Sequence, residues 1–335
     1  MTDVSLIVPC YNEETTIRQL LDAIESQSYP LSEIEVIVAD GISTDRTRDV
    51  INDYQVCHPN MTIRIIDNNM RIIPSGLNRA IEAARGTYII RMDAHSIPDQ
   101  NYIKKCVHDL EEGLGDNVGG IWKIVPGANT WIARAIAIAA SHPLGVGDAL
   151  YRIGGEAQAV DTVPFGAFHR GLIDKIGMFD ETLLTNEDYE FNVRVRQAGG
   201  KVWMNPAIHS IYYARSTLKE LSRQFWRYGY WKARMLIRYP NTIRWRQLIP
   251  PVFVLALISL GILSIGWYFA RLFLAFIVLL YTIVICATAI QMSINHKNPS
   301  LIIGIPLAIA TIHLSYGTAL LWGLLIKPRT IRPVR

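Results

Sequence analysis

Acidic residues are missing from the C-terminal stretch of this 335-residue chain: from Gln247 to Arg335 there is no Asp or Glu. The only formal charges there are Arg271, Lys297, Lys327, Arg329, Arg332 and Arg335. A region without acids excludes the mixed-charge surface of an ordinary soluble domain. The whole chain carries +4, so the residues up to Arg246 carry −2 once those six are set aside. A slightly acidic N-terminal domain argues against nucleic acid as a partner. Cysteine is scarce as well. Cys10, Cys57, Cys106 and Cys286 have neither metal-ligand spacing nor disulfide-scaffold density, which fits free thiols in a reducing compartment. The N-terminus, MTDVSLIVPCYNEE, lacks a basic n-region and a long apolar segment. No signal peptide is expected, and the first 246 residues are expected in the cytoplasm. Two phosphate-binding motifs are also absent. No G-x-G-x-x-G follows the first apolar run and no G-x-x-x-x-G-K-[ST] occurs anywhere, so a dinucleotide-binding or P-loop reading loses its main support.

What is present is apolar: the hydrophobic fraction is 50%. Three runs, near 249–269, 272–291 and 301–326, each approach the ~20 residues that a bilayer-spanning helix needs. They lack the polar faces of helices in a soluble core, so we expect about three membrane helices in a region 247–335. With the N-terminal domain inside, three spans place Lys327, Arg329, Arg332 and Arg335 outside, against the positive-inside tendency. A re-entrant last run, or a shallow hairpin of the first two, would remove the conflict. Before these runs, 218–239 mixes Phe225, Trp226, Tyr228, Tyr230 and Trp231 with Arg223, Arg227, Lys232, Arg234 and Arg238. That mixture predicts an amphipathic interfacial region over 216–246, touching anionic membrane lipids.

The N-terminal part alternates. Apolar runs at 4–9, 34–40, 62–67 and 87–93 read as strands, and helical spacing fills 13–26, 44–54 and 75–84. Such alternation predicts an α/β fold with a mainly parallel sheet over a domain 1–215. Ligands of such sheets sit outside the carboxyl ends of the strands. There the sequence places Tyr11, Asn12 and Glu13 after the first strand, Asp40 at the end of the second, and Asp93 with His95 at the end of the fourth. If the fourth strand continues through RMDAH, Arg91, Asp93 and His95 share one face. That arrangement suits a metal site, a nucleotide site or a solvated strand end. Downstream, Thr185-Asn186-Glu187-Asp188 has the form of a capping box opening a helix.

Taken together, VSLIVPCYNEE, VIVADGISTDRT, GLNRAIEAARGTYIIRMDAH, VDTVPFGAFHR and TNEDYEFNVRVRQAGG resemble, in order, the motifs of family 2 glycosyltransferases. DAHS and QFWRYG are closest to the succinoglycan-type branch of membrane glucosyltransferases. The resemblance covers about residues 4–240. It implies a GT-A fold, a nucleotide-diphospho-sugar donor with UDP-glucose first, a divalent cation (Mn²⁺ or Mg²⁺), a polyprenyl-diphosphate-linked acceptor, inversion at the sugar, and a multi-pass plasma-membrane protein. It makes Pro9, Tyr11 and Glu13 walls of the nucleotide pocket, Asp40 a partner of the base, and Asp93 the first acid of a D-x-D motif. Asp188 becomes the general base of the x-E-D motif. Inverting transfer needs one such base, whereas double displacement wants a second, nucleophilic carboxylate.

Where relatives carry the second D-x-D aspartate this chain has His95, which tilts the expectation towards Mn²⁺. His209 is a possible third metal ligand, and Glu187, Arg215, Gln224 and Arg227 are expected at the acceptor. The Gln224-to-Tyr228 segment resembles the Q-x-x-R-W motif of processive polymerases but ends in tyrosine, which argues against processivity. Two alternatives stay open: transfer to polyprenyl monophosphate, as in dolichol-phosphate mannose synthases, and a non-catalytic membrane subunit that only binds sugar nucleotide.

Overall fold

The structure, a computed structural model, describes residues 2–326. The basic tail with Lys327, Arg329, Arg332 and Arg335, on which the topology question turns, lies outside the described residues. The chain divides into two compact units, 2–123 with 154–212 and 124–153 with 213–326.

The first unit opens as the sequence pattern predicts. β1 (Val4–Cys10), α1 (Ile17–Glu25), β2 (Ile34–Asp40), α2 (Thr47–Cys57), β3 (Thr62–Asp67), α3 (Ile73–Ala83) and β4 (Tyr88–Arg91) alternate. The four strands lie side by side as β3-β2-β1-β4, all parallel. β1 and β2 are apolar and buried because helices cover both faces. Val4, Leu6, Val8 and Cys10 face a core built with Ile17, Leu20, Leu21 and Ile24 of α1 and Ile51 and Tyr54 of α2.

The other half of the sheet is antiparallel. β5 (Ile97–Pro98), α4 (Tyr102–Glu111), β6 (Asn117–Val125), β7 (Gln158–Ala159), β8 (Ala167–His169), α8 (Leu172–Ile176), α9 (Glu187–Gln197) and β9 (Val202–Tyr213) follow, with α5 to α7 inserted after β6. The order continues β4-β8-β6-β9-β5, and β7 adds to β9. β6 approaches β9 so closely that a Cβ on Gly120 would lie 1.7 Å from the Ile208 carbonyl oxygen, so only glycine fits there.

Strand four ends earlier than its apolar run suggests. After Arg91 the chain enters a turn in which Ser96 donates its N–H to the Asp93 carbonyl at 2.9 Å. His95 therefore sits in a turn and does not share a strand face with Arg91. The capping box does not form either. Asn186 adopts φ 68° at the start of α9 and gives no side-chain cap.

The second unit contains α5 (Trp131–Ala140), α6 (Pro143–Val146), α7 (Leu150–Ile153), α10 (Leu218–Arg238), α11 (Trp245–Leu263), α12 (Tyr268–Asn295) and α13 (Leu301–Leu325). α11, α12 and α13 are long and apolar enough to cross a membrane. α11 starts before the expected 249 and carries Pro250 and Pro251 inside. The break to α12 falls at 264–267, because α12 runs on to Asn295. Leu255, Ile258, Ile262, Phe273, Phe276 and Leu280 are exposed, an apolar surface of the kind that suits lipid.

α10 departs from the simple interfacial picture. Leu221, Phe225, Gly229 and Leu236 lie at helical spacing and are buried, and a Cβ on Gly229 would come 2.4 Å from the Tyr316 carbonyl oxygen of α13. Lys232 and Arg234, expected among the headgroup-facing bases, are buried too. Arg234 donates to the Ile326 carbonyl at 2.5 Å and to the Tyr230 hydroxyl at 3.2 Å. Arg223, Trp226, Arg227 and Ile237 remain exposed.

Candidate active site

The carboxyl ends of the parallel strands gather the polar residues. At the end of β1, Asn12 adopts φ 54° and bridges to the loop after β2, donating its N–H to Ser43 Oγ at 2.9 Å and accepting from Thr44 N–H at 2.8 Å. Ile42, in that loop, has φ 58°, a genuine outlier for a β-branched residue. Together with Asn186 beside Glu187, these left-handed positions cluster around the strand ends, where backbone strain is characteristic of function. Tyr11 is 44% exposed, and the Arg71 guanidinium lies 6.0 Å from its ring centroid. Pro9 is the penultimate residue of β1.

Asp40 is placed differently from a direct base partner. Its side chain has no accessible surface. It accepts from Ser43 N–H at 3.0 Å, Ser43 Oγ at 2.5 Å and Arg48 Nε at 2.5 Å. Arg48 also reaches Asp67 at 2.5 Å. As placed, Asp40 ties down the loop after β2 through Ser43 and Arg48, and the half-exposed Arg48–Asp67 pair is what faces outward. Neither partner is conspicuous in the sequence, although Asp67 ends its strand as Asp40 does.

The densest cluster surrounds Arg91, whose side chain is 3% exposed. Its Nη1 donates to Asp188. Its Nη2 donates to Glu187 at 2.9 Å and to Asp93 at 3.1 Å. Burial next to the Glu187 and Asp93 carboxylates pushes the Asp188 carboxyl up to about 7, with the Arg91 charge opposing. The Arg91 guanidinium itself is held above its usual value by the three acids, against the cost of its burial. Asp188 keeps 24% of its side chain exposed, so a reactant can reach it. α9 is fixed from behind. Asn117 donates to Asn192 at 2.6 Å, Asn192 to Thr162 at 3.0 Å, and Arg194 to the Met178 carbonyl at 2.9 Å.

A GT-A-like sheet with acids at its strand ends has known counterparts. The sequence model described as "Glycosyl transferase family 2" matches residues 5–177. The chain belongs to glycosyl transferase family 2. Over 326 residues, 95% of this chain and 96% of the relative, it is 31% identical to a dolichyl N-acetyl-α-D-glucosaminyl phosphate 3-β-D-2,3-diacetamido-2,3-dideoxy-β-D-glucuronosyltransferase of Methanococcus voltae. It is 29% identical over 251 residues, 74% of each chain, to the succinoglycan biosynthesis protein ExoA of Rhizobium meliloti, in line with the succinoglycan-type branch. The fold matches that of a mannosyltransferase from Pyrobaculum calidifontis in complex with GDP-Man and Mn²⁺, with a TM-score of 0.62, 18% identity, and 95% and 87% of the two chains covered.

In this glycosyltransferase the residues available to a cation are few. Among the described residues no group of three His, Cys, Asp or Glu side chains converges as a metal site. Asp93, 26% exposed, gives one oxygen to Arg91, and His95, 50% exposed, sets Nδ1 3.1 Å from Glu13 Oε1. One carboxylate and one imidazole fit a divalent cation whose other ligands come from a diphosphate. Glu13 is anchored by its N–H to Thr47 Oγ1 at 2.8 Å.

His209 joins a different group. Its Nε2 lies 2.6 Å from Lys123 Nζ and 3.3 Å from Asp99, and its Nδ1 lies 3.2 Å from the Ala207 carbonyl. With both ring nitrogens engaged, the metal-ligand role expected of it finds no support. Arg215 and Arg227, in the second unit, are exposed, while Gln224 is buried and donates to the Tyr228 hydroxyl at 3.1 Å.

Proposed function

We propose that this glycosyltransferase is an inverting, metal-dependent hexosyltransferase. It moves a sugar from a nucleotide-diphospho-sugar, with UDP-glucose the first donor to test, to a saccharide carried on polyprenyl diphosphate, in synthesis of exopolysaccharide or another surface glycan. The observation that carries the reading is the convergence of Asp93, Glu187 and Asp188 on Arg91, with Asp188 partly exposed and its carboxyl pushed up to about 7 by burial. A base is most effective when its pKa lies near the working pH.

The chemistry follows from these positions. Tyr11 and Pro9 form one wall for the nucleotide, and the Asp40–Ser43–Arg48 group supports it. Asp93 and His95 would hold the cation, which supplies charge to the departing diphosphate. An acceptor hydroxyl attacks the anomeric carbon in line while the bond from that carbon to the diphosphate oxygen breaks. Asp188 takes the hydroxyl proton, and the nucleoside diphosphate leaves. Glu187 is assigned to the acceptor; within the second unit, the exposed Arg215 and Arg227 carry guanidinium forks that suit phosphate oxygens.

The name of the Methanococcus relative describes a lipid that already bears a sugar, which favours extension over priming of a bare polyprenyl phosphate. That name specifies a single phosphate, so the acceptor panel includes both forms. We further propose a multi-pass plasma-membrane protein with its catalytic part in the cytoplasm. Protease cleavage of a C-terminal tag only from outside would support three full spans. The decisive assay incubates the purified protein with Mn²⁺, UDP- and GDP-sugars and polyprenyl-linked acceptors. Donor hydrolysis without any lipid-linked product would refute the transfer reading.

A further inference from the structure

Arg91 ends the apolar strand Tyr88–Arg91 with a guanidinium almost wholly removed from water. Burial of such a charge is tolerated only where acids compensate it. Here there are three, and they are served unequally. Nη1 is given to Asp188, while Nη2 is divided between Glu187 and Asp93, and Nε has no partner. The uneven division means that Asp93 can leave the guanidinium without releasing Asp188.

That division bears on where a cation can settle. Hard divalent cations prefer several carboxylate oxygens to one carboxylate and one imidazole. Three acids drawn to a common centre would otherwise offer the better site, and a cation lodged there would occupy the lone pairs that the base needs. We propose that Arg91 is a positioning residue that acts as a built-in cation. It holds Glu187 and Asp188 away from the metal, leaves Asp93 with His95 to share the metal with the donor diphosphate, and orients the base. The inference rests on the roles of Asp93 and Asp188 given under Proposed function. Arginine suits the task because its fork serves opposite sides at once, which the compact ammonium of lysine cannot do.

The test measures Mn²⁺ binding directly, by electron paramagnetic resonance of free Mn²⁺. It uses the full-length protein in detergent, with and without UDP, alongside a melting curve and transfer kinetics. Arg91→Met should bind Mn²⁺ at least about tenfold more tightly, even without UDP, because the three acids, no longer paired, now form a site. Its kcat should fall at least about 100-fold, and excess Mn²⁺ should not restore it. Arg91→Lys keeps the charge, so its Mn²⁺ affinity should stay near that of the wild type while kcat still drops about tenfold or more. A folded Arg91→Met protein that binds Mn²⁺ no better than wild type overturns the inference. If that variant does not fold, wild-type kcat in Arg91→Lys overturns it instead. A wild-type protein that takes up no Mn²⁺ in the presence of UDP overturns the reading of Asp93 itself, and the inference with it.

Discussion

Asp188, the proposed base, should set the pH profile of the transfer reaction, and Glu187→Gln is the perturbation that tests its electrostatics. Burial and two neighbouring acids push the Asp188 carboxyl up to about 7. A general base works only when ionised, so kcat/KM for the acceptor should rise with pH and level off above that value. With a midpoint near 7, about one-tenth of the enzyme carries the active base at pH 6 and about one-hundredth at pH 5. A carboxylate at its ordinary value would be almost fully ionised over the same range and give a flat profile. Glu187→Gln removes a negative neighbour held 2.9 Å from Arg91. The sign is unambiguous: less repulsion favours the charged base, so the acid limb should move down by roughly one pH unit. The assay is steady-state transfer from a labelled donor between pH 5 and 8, in buffers of constant ionic strength. A flat wild-type profile, or a limb that Glu187→Gln leaves in place, would refute the electrostatic account of this cluster.

Other consequences follow from particular contacts. Arg48→Ala strands the inaccessible Asp40 carboxylate, and denaturant titration should show a loss of about 3 kcal/mol together with weaker UDP binding. Unchanged stability would mean that Ser43 alone satisfies Asp40. His95→Asp should shift the preference from Mn²⁺ towards Mg²⁺ before it abolishes transfer, and an unaltered metal profile would remove His95 from the site. Gly120→Val cannot be accommodated against the Ile208 carbonyl, so it should cost more than about 4 kcal/mol, measured as loss of folded protein on expression.

The parallel half of the sheet was legible because strands buried on both faces read as continuous apolar runs. The antiparallel half was not. β8 spans only Ala167–His169, and β6 carries Gly120 where a close approach to β9 replaces side-chain burial. The acids at the strand ends could be named from sequence because strand ends are where such sheets bind ligands. Their partners could not. Arg91 stood out only as a charge in an apolar run, and nothing local marked it as the hub of three carboxylates. Asp40 was singled out, but its saturation by Ser43 and Arg48 depends on how the loop turns at Ile42. The Thr185–Asp188 pattern suggested a cap, and the left-handed Asn186 redirects it so that Asp188 points at Arg91 instead. The surroundings of His209 were hidden for a similar reason: Lys123 and Asp99, distant in sequence, meet its ring.

The central claim is that Asp188 is the base of a sugar transfer to a lipid-linked acceptor. The most direct measurement compares wild type and Asp188→Asn in a single-turnover reaction with UDP-glucose, Mn²⁺ and a polyprenyl-diphosphate-linked saccharide, with donor binding measured in parallel. The wild type should yield a lipid-linked product of inverted anomeric configuration. Asp188→Asn should be slower by about 10²–10⁴-fold with donor affinity retained. Normal turnover in Asp188→Asn would remove Asp188 from the base role, and a product that retains the donor's configuration would rule out inversion.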